Sequence, residues 1–215
     1  MNKPKISIIV TSWNDAKLLP KCLDALLNQT LKGIEVIGVN DASSDDTLVV
    51  LKRYAKQDPR VKYVDNPENI GLAASRNRGI EKATAPFLMF CDADDYYEST
   101  MCEDMYHAIT TSNADLAISE IRVIYQAHAD MKPSDDNYYS LKYHGLQQID
   151  RNVIFNTDLS STNKIFRKAV LDKYHLQFPE GKCYEDAYFC AAYFCTSQTA
   201  YFLNKQLYNY VRHAG

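Results

Sequence analysis

Short apolar segments alternate with amphipathic segments along the first half of the chain, and this alternation constrains the fold more than any other feature. The apolar segments are rich in β-branched or aromatic residues and are predicted strands, at residues 6–13, 34–40, 61–66 and 86–91. The amphipathic segments have helical spacing and lie after Asn14, at 43–57 and at 71–85. Strands separated by helices predict an α/β fold with a mainly parallel sheet covered on both faces.

The second half of the chain has a less regular pattern. Its predicted elements are, in order, a helix at 98–113, one or two strands at 115–129, a tyrosine-rich loop or flap at 132–144, a short helix at 146–155, a strand and helix at 164–174, a helix at 184–197 and a closing pair of strands at 199–213. No repeat, low-complexity tract or linker interrupts the 215 residues, so a single domain is expected.

Polar residues collect where the predicted strands of the first half end. They are residues 11–14, Asn40 with Asp41, Asp65 with Asn66, and residues 92–95. In an open α/β sheet, ligands bind beyond the carboxyl ends of the strands. The pattern therefore predicts a ligand-binding cleft at one edge of the sheet.

Three aspartates crowd one turn after the fourth predicted strand. Asp92, Asp94 and Asp95 repel one another unless a positive charge lies beside them. One aspartate would satisfy the beginning of a helix, but three exceed that need. Carboxylate oxygens are the ligands that Mg²⁺ prefers, usually together with substrate phosphates. The cluster therefore predicts a divalent cation site.

Asp41 and Trp13 lie at the same predicted edge. The Asp41 carboxylate is placed to accept a hydrogen bond from a base or a ribose, although nearby residues of its turn are ordinary helix caps. Trp13 is the only tryptophan, and at a strand end its ring can stack on a nucleobase. Arg76 and Arg78 share the helix before the acidic strand, so one of them is expected to reach the nucleotide.

Several classes of protein are excluded. No G-x-G-x-x-G follows the first strand and no G-x-x-x-x-G-K-[ST] occurs, so dinucleotide-binding and P-loop proteins lose their main support. The net charge is −3 without a long basic run, which argues against nucleic acid as a partner. The six cysteines form no C-x-x-C pair, which argues against a zinc site or a disulfide framework. They are expected to be free thiols in a reducing compartment.

The same sequence carries no apparent signal for secretion or membrane insertion. No secretory leader precedes the first strand. No apolar run reaches the roughly 18 residues of a membrane helix. A cytoplasmic protein without a transmembrane segment is expected, with association at the inner membrane face as the only membrane contact.

The ordered set of motifs resembles the family 2 inverting glycosyltransferases, which have the Rossmann-like GT-A fold. Four blocks of the first half match in order: ISIIVTSWN, EVIGVNDASSDDT, NIGLAASRNRGI and FLMFCDADD. A later set, NKIFRK, FPEGKCYEDAYF and YNYVRH, is similar to the acceptor side of the same family. The resemblance covers nearly all of the chain. It implies one GT-A catalytic domain, with residues 1–97 binding the nucleotide sugar and 98–215 binding the acceptor.

The resemblance assigns roles on the donor side. It implies that the base, most commonly uracil, is lined by Thr11, Trp13, Asp41 and Arg76, with Asn14 beside them. Asp94 would touch the ribose of a UDP-sugar, and Asp92 is a further substrate-binding candidate. Asp95, together with Asp94, would hold Mg²⁺ or Mn²⁺ against the diphosphate.

The resemblance also assigns roles on the acceptor side. Asp186 would be the general base, with Glu185 beside it in the substrate site. Arg212 and His213 match a basic segment that closes over the diphosphate. The tyrosine-rich residues 137–143 and the helix after Gly181 are expected to face the acceptor, a glycan or a lipid-linked glycan. The chain ends where relatives continue, so a truncated catalytic domain is expected.

Two other functions stay open at this point. A sugar-phosphate nucleotidyltransferase needs a glycine-rich basic loop after the first strand, whereas TSWNDAKLLPK contains no glycine. A binding module without catalysis need not keep both the aspartate cluster and the Glu185–Asp186 pair. Processive synthases carry Q-x-x-R-W, which is excluded because Trp13 is the only tryptophan.

Overall fold

A computed structural model describes residues 3–125 and 141–213. Nine strands within these residues form one sheet in the order β3-β2-β1-β4-β8-β6-β9-β5, with β7 paired to β9. The strands are β1 (Ile6–Ser12), β2 (Ile34–Asn40), β3 (Val61–Asp65), β4 (Phe87–Asp92), β5 (Tyr96–Tyr97), β6 (Leu116–Tyr125), β7 (Gly145–Gln148), β8 (Lys164–Arg167) and β9 (Thr199–Arg212). The prediction of an α/β fold with a mixed, mainly parallel sheet is confirmed.

Parallel pairing in the first half brings the polar strand ends together. β1 pairs in parallel with both β2 and β4, and β2 pairs in parallel with β3. The register sets Ser12 beside Asn40 and Thr11 beside Asp92. The carboxyl ends of three strands therefore meet at one edge of the sheet.

Helices cover both faces of this sheet. They are α1 (Leu19–Leu27), α2 (Thr47–Gln57), α3 (Leu72–Lys82), α4 (Met101–Thr111), α5 (Arg151–Phe155), α6 (Lys168–Tyr174) and α7 (Glu185–Thr196). Apolar residues of α1, α2 and α4 pack on one face, and those of α3, α6 and α7 pack on the other. Because successive strand residues point to opposite faces, β1 supplies Ile8 to the first core and Ile9 to the second.

Helix α3 packs against β1 at very close range. A Cβ atom added at Gly79 would lie 2.4 Å from Cγ2 of Ile9. The absence of a side chain at Gly79 therefore lets the helix approach the strand, and it fixes the depth at which α3 carries Arg76.

Two predictions for the second half are wrong in detail, and one short strand was missed. The expected closing pair of strands is the single strand β9, in which the exposed polar residues 204–206 form an irregularity opposite Ser119 and Glu120 rather than a turn. The helix predicted at 146–155 is the strand β7 followed by α5. The two-residue strand β5 was not predicted, because it exists only through its pairing with β9.

Most of the predicted loop or flap at 132–144 and most of the acceptor-facing segment at 137–143 lie outside the described residues. No helix in residues 3–125 and 141–213 is long and apolar enough to cross a membrane.

Candidate active site

A cleft of about 660 Å³ opens at the carboxyl ends of β1, β2 and β4. Five of the residues predicted for substrate line it together: Thr11, Trp13, Asp41, Asp92 and Asp94. The ring of Trp13 is 58% exposed, so it can contact a ligand in the cleft without first leaving the protein core. The cleft thus combines an aromatic rim with several carboxylates.

Asp41 is buried and organises the loop that precedes α3. Its Oδ1 accepts from the backbone N of Ile70 at 2.9 Å and from Nδ2 of Asn66 at 2.9 Å. Its Oδ2 accepts from the backbone N of Gly71 at 2.8 Å. These bonds hold the carboxylate in the wall of the cleft while they fix the start of the helix.

Asn14 was predicted to bind substrate but does not line this cleft in the structure. Its backbone is left-handed, with φ of 60°, and its Oδ1 accepts from the N and Oγ of Ser44. The side chain therefore joins the loop after β1 to the loop after β2. It faces a neighbouring cavity of about 840 Å³ between α1 and α2.

Asp15 lines the cleft beside Asp92 and Asp94, although the sequence analysis did not select it. Burial raises the pKa of Asp15, and the charges of Asp94 and Asp92 raise it further. Burial and the charge of Asp92 likewise raise the pKa of Asp94. His213 Nε2 lies 3.5 Å from Oδ2 of Asp94 and partly offsets this repulsion. The sequence signal that could have identified Asp15 is its position just after β1, at the same edge as the other predicted residues.

The structure does not bring Asp95, the predicted metal ligand, into the cleft. Its carboxylate is 1% exposed, and it accepts from the hydroxyl of Tyr208 at 2.5 Å and from the backbone N of Val211 at 2.7 Å. Burial raises the pKa of Asp95 to about 8, although both hydrogen bonds oppose the rise. Asp95 therefore links the turn after β4 to β9 through these two hydrogen bonds. Its carboxylate points away from the cleft, whereas that of its neighbour Asp94 points into it.

The carboxylates that face the cleft have the chemistry of a hard-cation site without forming a complete one. Within residues 3–125 and 141–213, no three His, Cys, Asp or Glu side chains are arranged to hold a metal ion. Asp94 and Asp92 still offer oxygens to the cleft, and Mg²⁺ commonly takes one or two carboxylates plus substrate phosphates. These two residues therefore fit a cation that arrives with a diphosphate.

Arg76 was predicted to line the base pocket, but it is buried among carboxylates. Nη2 lies 2.8 Å from Oδ1 of Asp92, and Nη1 donates to Oε1 of Glu185 at 3.1 Å and to Oδ1 of Asp186. Burial lowers the pKa of Arg76, but the carboxylates outweigh burial and raise it. The positive charge beside the aspartate cluster is therefore this guanidinium, which also connects α3 to α7.

Asp186 is held from two sides in the first turn of α7. Oδ1 accepts from Arg76, and Oδ2 accepts from both the N and the Oγ of Ser161 at 3.1 Å. Burial raises the pKa of Asp186, while the charge of Arg76 and the hydrogen bond from the backbone N of Ser161 oppose the rise. Asp186 thus lies next to Glu185, and it shares the guanidinium of Arg76 with Asp92 of the cleft.

The basic segment at the end of β9 lies beside the same cleft. The guanidinium of Arg212 is 5.9 Å from the ring centre of Tyr210, a residue of the cleft wall. His213 contacts Asp94, as described above. Both predicted residues are therefore brought to the edge of the cleft, where Arg212 is exposed.

Comparisons with known proteins agree with this geometry. The chain superimposes on Staphylococcus aureus TarS 1–349 in complex with UDP-GlcNAc with a TM-score of 0.83 and 25% identity, covering 98% of this chain and 59% of that one. It shares the fold of a Pyrobaculum calidifontis mannosyltransferase in complex with GDP-Man and Mn²⁺, with a TM-score of 0.75 and 18% identity over 99% of this chain and 57% of that one. Both have the GT-A fold, so the predicted fold family is confirmed.

Sequence relatives point to the same family. Glycosyltransferase GlyA of Streptococcus pneumoniae is 30% identical over 96% of this chain and 30% of its own length. GlyG of the same organism is 26% identical over 98% of this chain and 71% of its own length. The chain therefore spans less than a third of GlyA. The model of "Glycosyl transferase family 2" matches residues 7–175. The chain belongs to glycosyl transferase family 2, a family of inverting enzymes.

Proposed function

We propose that this chain is the catalytic domain of an inverting glycosyltransferase that moves a sugar from a nucleoside-diphosphate sugar, with UDP as the carrier, to an acceptor hydroxyl. The observation that carries the proposal is the pairing of one guanidinium, Arg76, with both Asp92 of the cleft and Asp186 of α7. This contact supports the proposal because it brings Asp186, the candidate base, close to Asp92 of the candidate donor site. The TarS complex with UDP-GlcNAc supports UDP as the carrier.

The donor side of the proposal uses residues 1–97. Trp13 and Thr11 contact the base, and Asp41 holds the wall against which the nucleoside lies. Asp94 and Asp92 would hold Mg²⁺ or Mn²⁺ together with the diphosphate. When bound, the cation offsets the negative charge that grows on the leaving diphosphate. Arg212 and His213 add positive charge at the same edge.

The acceptor side uses residues 98–215, with Asp186 as the general base. Asp186 takes the proton of the acceptor hydroxyl, and the oxygen bonds to the anomeric carbon. The bond from that carbon to the diphosphate breaks, the nucleoside diphosphate leaves with the electron pair, and the configuration inverts. Burial helps this role, since a raised pKa brings the carboxylate closer to the basicity that suits proton transfer near neutral pH.

The partners and the compartment belong to the same proposal. The acceptor is a glycan or a lipid-linked glycan, reached from the cytoplasm or from the inner face of the membrane. All six cysteines are free thiols, which supports a reducing compartment. The nucleotidyltransferase alternative is disfavoured because the loop after β1, which borders the cleft with Trp13 and Asp15, carries no glycine.

The proposal is tested by comparing Asp186→Asn with Glu185→Gln. UDP release from UDP-Glc, UDP-Gal and UDP-GlcNAc with Mn²⁺ is measured, and UDP affinity is measured by calorimetry. Because a positioned base contributes about 10²–10⁴-fold in rate, Asp186→Asn should lower kcat by that order with nearly unchanged UDP affinity. Glu185→Gln should lose less.

Two outcomes would contradict the proposal. A variant Asp186→Asn that turns over like the wild type would remove Asp186 as the base. Wild-type protein that neither binds UDP nor releases it from any of these donors would reject UDP as the carrier, and with it the proposal as stated.

A further inference from the structure

Lys164 is a fully buried cation behind the candidate active site. Its exposed fraction is 0%, and its ammonium donates to Oδ1 of Asp158 at 3.3 Å, to the carbonyl of Ser160 at 2.7 Å and to Oδ1 of Asn163 at 2.9 Å. An ammonium has three hydrogens to donate, so all of them have partners. Lys164 therefore gathers three residues of the loop that precedes β8 around one charge.

The partners of Lys164 tie this loop to itself and to the sheet. The oxygens of Asp158 also accept from the N of Ser160 at 3.0 Å and from Nδ2 of Asn163 at 3.1 Å. Asn163 in turn donates to the carbonyl of Ser119 on β6 at 2.7 Å. The loop is thus fixed by polar contacts, although its residues form neither helix nor strand.

Ser161 lies in the middle of this loop and points at Asp186. It is 0% exposed, and it donates two bonds to Oδ2 of Asp186, one from its N and one from its Oγ, both at 3.1 Å. Arg76 binds the other oxygen of the same carboxylate. The orientation of Asp186 is therefore set by one arginine and one serine from two different parts of the chain.

Stability alone is a weak reason for the buried pair of Lys164 and Asp158. Replacing a buried ion pair by apolar residues of similar size is often neutral or stabilising. Its place in the loop that contacts Asp186, an aspartate that must be oriented, points to a positioning role. We propose that Ser161 is a positioning residue for Asp186, and that the pair of Lys164 and Asp158 fixes the loop that presents Ser161. The inference rests on the proposed function, in which Asp186 is the base.

Several charged side chains around Asp186 influence its pKa. Arg76 faces it from α3, Asp92 from the end of β4, and Glu185 from its own helix. Lys164 and Asp158 lie behind the loop, and both act on the thiol of Cys190 together with Asp186. The hydroxyl of Ser161, which donates to Oδ2 of Asp186, can be removed without changing any of these charges.

The first test measures the pKa of Asp186 directly and does not depend on turnover. Aspartate labelled with ¹³C at the carboxyl is titrated by NMR in the wild type, Ser161→Ala and Ser161→Thr, with Asp186→Asn used to assign the signal. Since the lost bond favours the charged form, Ser161→Ala should raise this pKa by roughly one unit. Ser161→Thr keeps the hydroxyl and should restore it.

A matched control is Ser197→Ala, which removes a hydroxyl at the other end of α7, where Oγ donates to the carbonyl of Tyr193 at 2.8 Å. It should leave the pKa of Asp186 unchanged. An unchanged pKa in Ser161→Ala, or an equal shift in Ser197→Ala, would overturn the inference.

The second test separates positioning from folding. Lys164→Met combined with Asp158→Asn removes the ion pair without leaving a lone buried charge, so the protein should fold. Because a small displacement of a catalytic group can cost up to about 10²-fold, kcat for UDP release should fall by about 10-fold or more with unchanged KM for the UDP-sugar. A folded double variant with wild-type kcat would refute the role of the pair. Absence of turnover in the wild type would reject the proposed function, while the NMR titration would still decide on Ser161.

Discussion

Arg76→Met tests whether one buried guanidinium holds the two sides of the site together. The side chain of Arg76 is 3% exposed and pairs with Asp92, Glu185 and Asp186. At about 4 Å and an effective dielectric constant near 20, each such pair is worth about 4 kcal/mol before the cost of burial is subtracted. Removing one partner of a buried ion pair typically costs about 3–5 kcal/mol, because the remaining charges lose their compensation.

The expected loss is large for a domain of this size. Total unfolding free energies lie near 5–15 kcal/mol, so a cost of about 3–5 kcal/mol for Arg76→Met should remove at least about a fifth of the total. The uncompensated carboxylates should also bind protons more tightly than in the wild type. When the pKa of a carboxyl group is raised in the folded state, the protein loses stability as pH rises. The destabilisation by Arg76→Met should therefore be larger at pH 8 than at pH 5.

Urea unfolding followed by circular dichroism at both pH values measures this penalty. The matched control is Arg78→Met on the same helix, whose guanidinium donates to Oδ1 of Asn66 at 3.0 Å rather than to a carboxylate. The control should lose only about 1 kcal/mol, the typical worth of one hydrogen bond. A cost for Arg76→Met that equals the control, or that is the same at both pH values, would refute the reasoning.

Two further predictions concern stability. The pKa of Asp95 is about 8 in the folded state and near 4 in an unfolded chain, so the wild type should lose on the order of 5 kcal/mol between pH 4 and 8. Asp95→Asn should remove this loss, so the stability of the variant relative to the wild type should increase as pH rises. A difference in unfolding free energy between variant and wild type that is the same at pH 5 and pH 9 in urea would contradict this prediction. Gly79→Ala should lose about 1–3 kcal/mol despite the better helix propensity of alanine, because its Cβ would lie 2.4 Å from Ile9. In the background of Ile9→Ala, which removes the contacted methyl group, Gly79→Ala should cost less in thermal unfolding than it does in the wild type, and a stabilised single variant would argue against close packing.

The first half of the fold was predictable because its signals are local. The strand β2 was predicted at the residues where it occurs, since a short segment rich in Ile and Val is characteristic of a buried parallel strand. The meeting of Thr11, Asp41 and Asp94 followed from the same pattern, because parallel strands end at one edge.

The roles of the charged residues were less predictable because they depend on distant contacts. Asp94 and Asp95 are neighbours, and only the pairing of Asp95 with Tyr208 and Val211, more than a hundred positions away, turns one carboxylate inward. The partners of Arg76 on α7 are equally distant in sequence. The contribution of Ser161 carried no sequence signal, since a serine in a polar loop is ordinary.

The position of Arg76 also limits how this protein can exchange parts with its relatives. Its charge is balanced by Asp92 from the same half and by Glu185 and Asp186 from the other half. A chimera that joins residues 1–97 of this chain to the second half of a relative must therefore inherit two carboxylates at matching places on α7. Recombination that breaks this match would leave a buried cation without enough counter-charge, so the two halves are expected to evolve, and to be engineered, as a matched set.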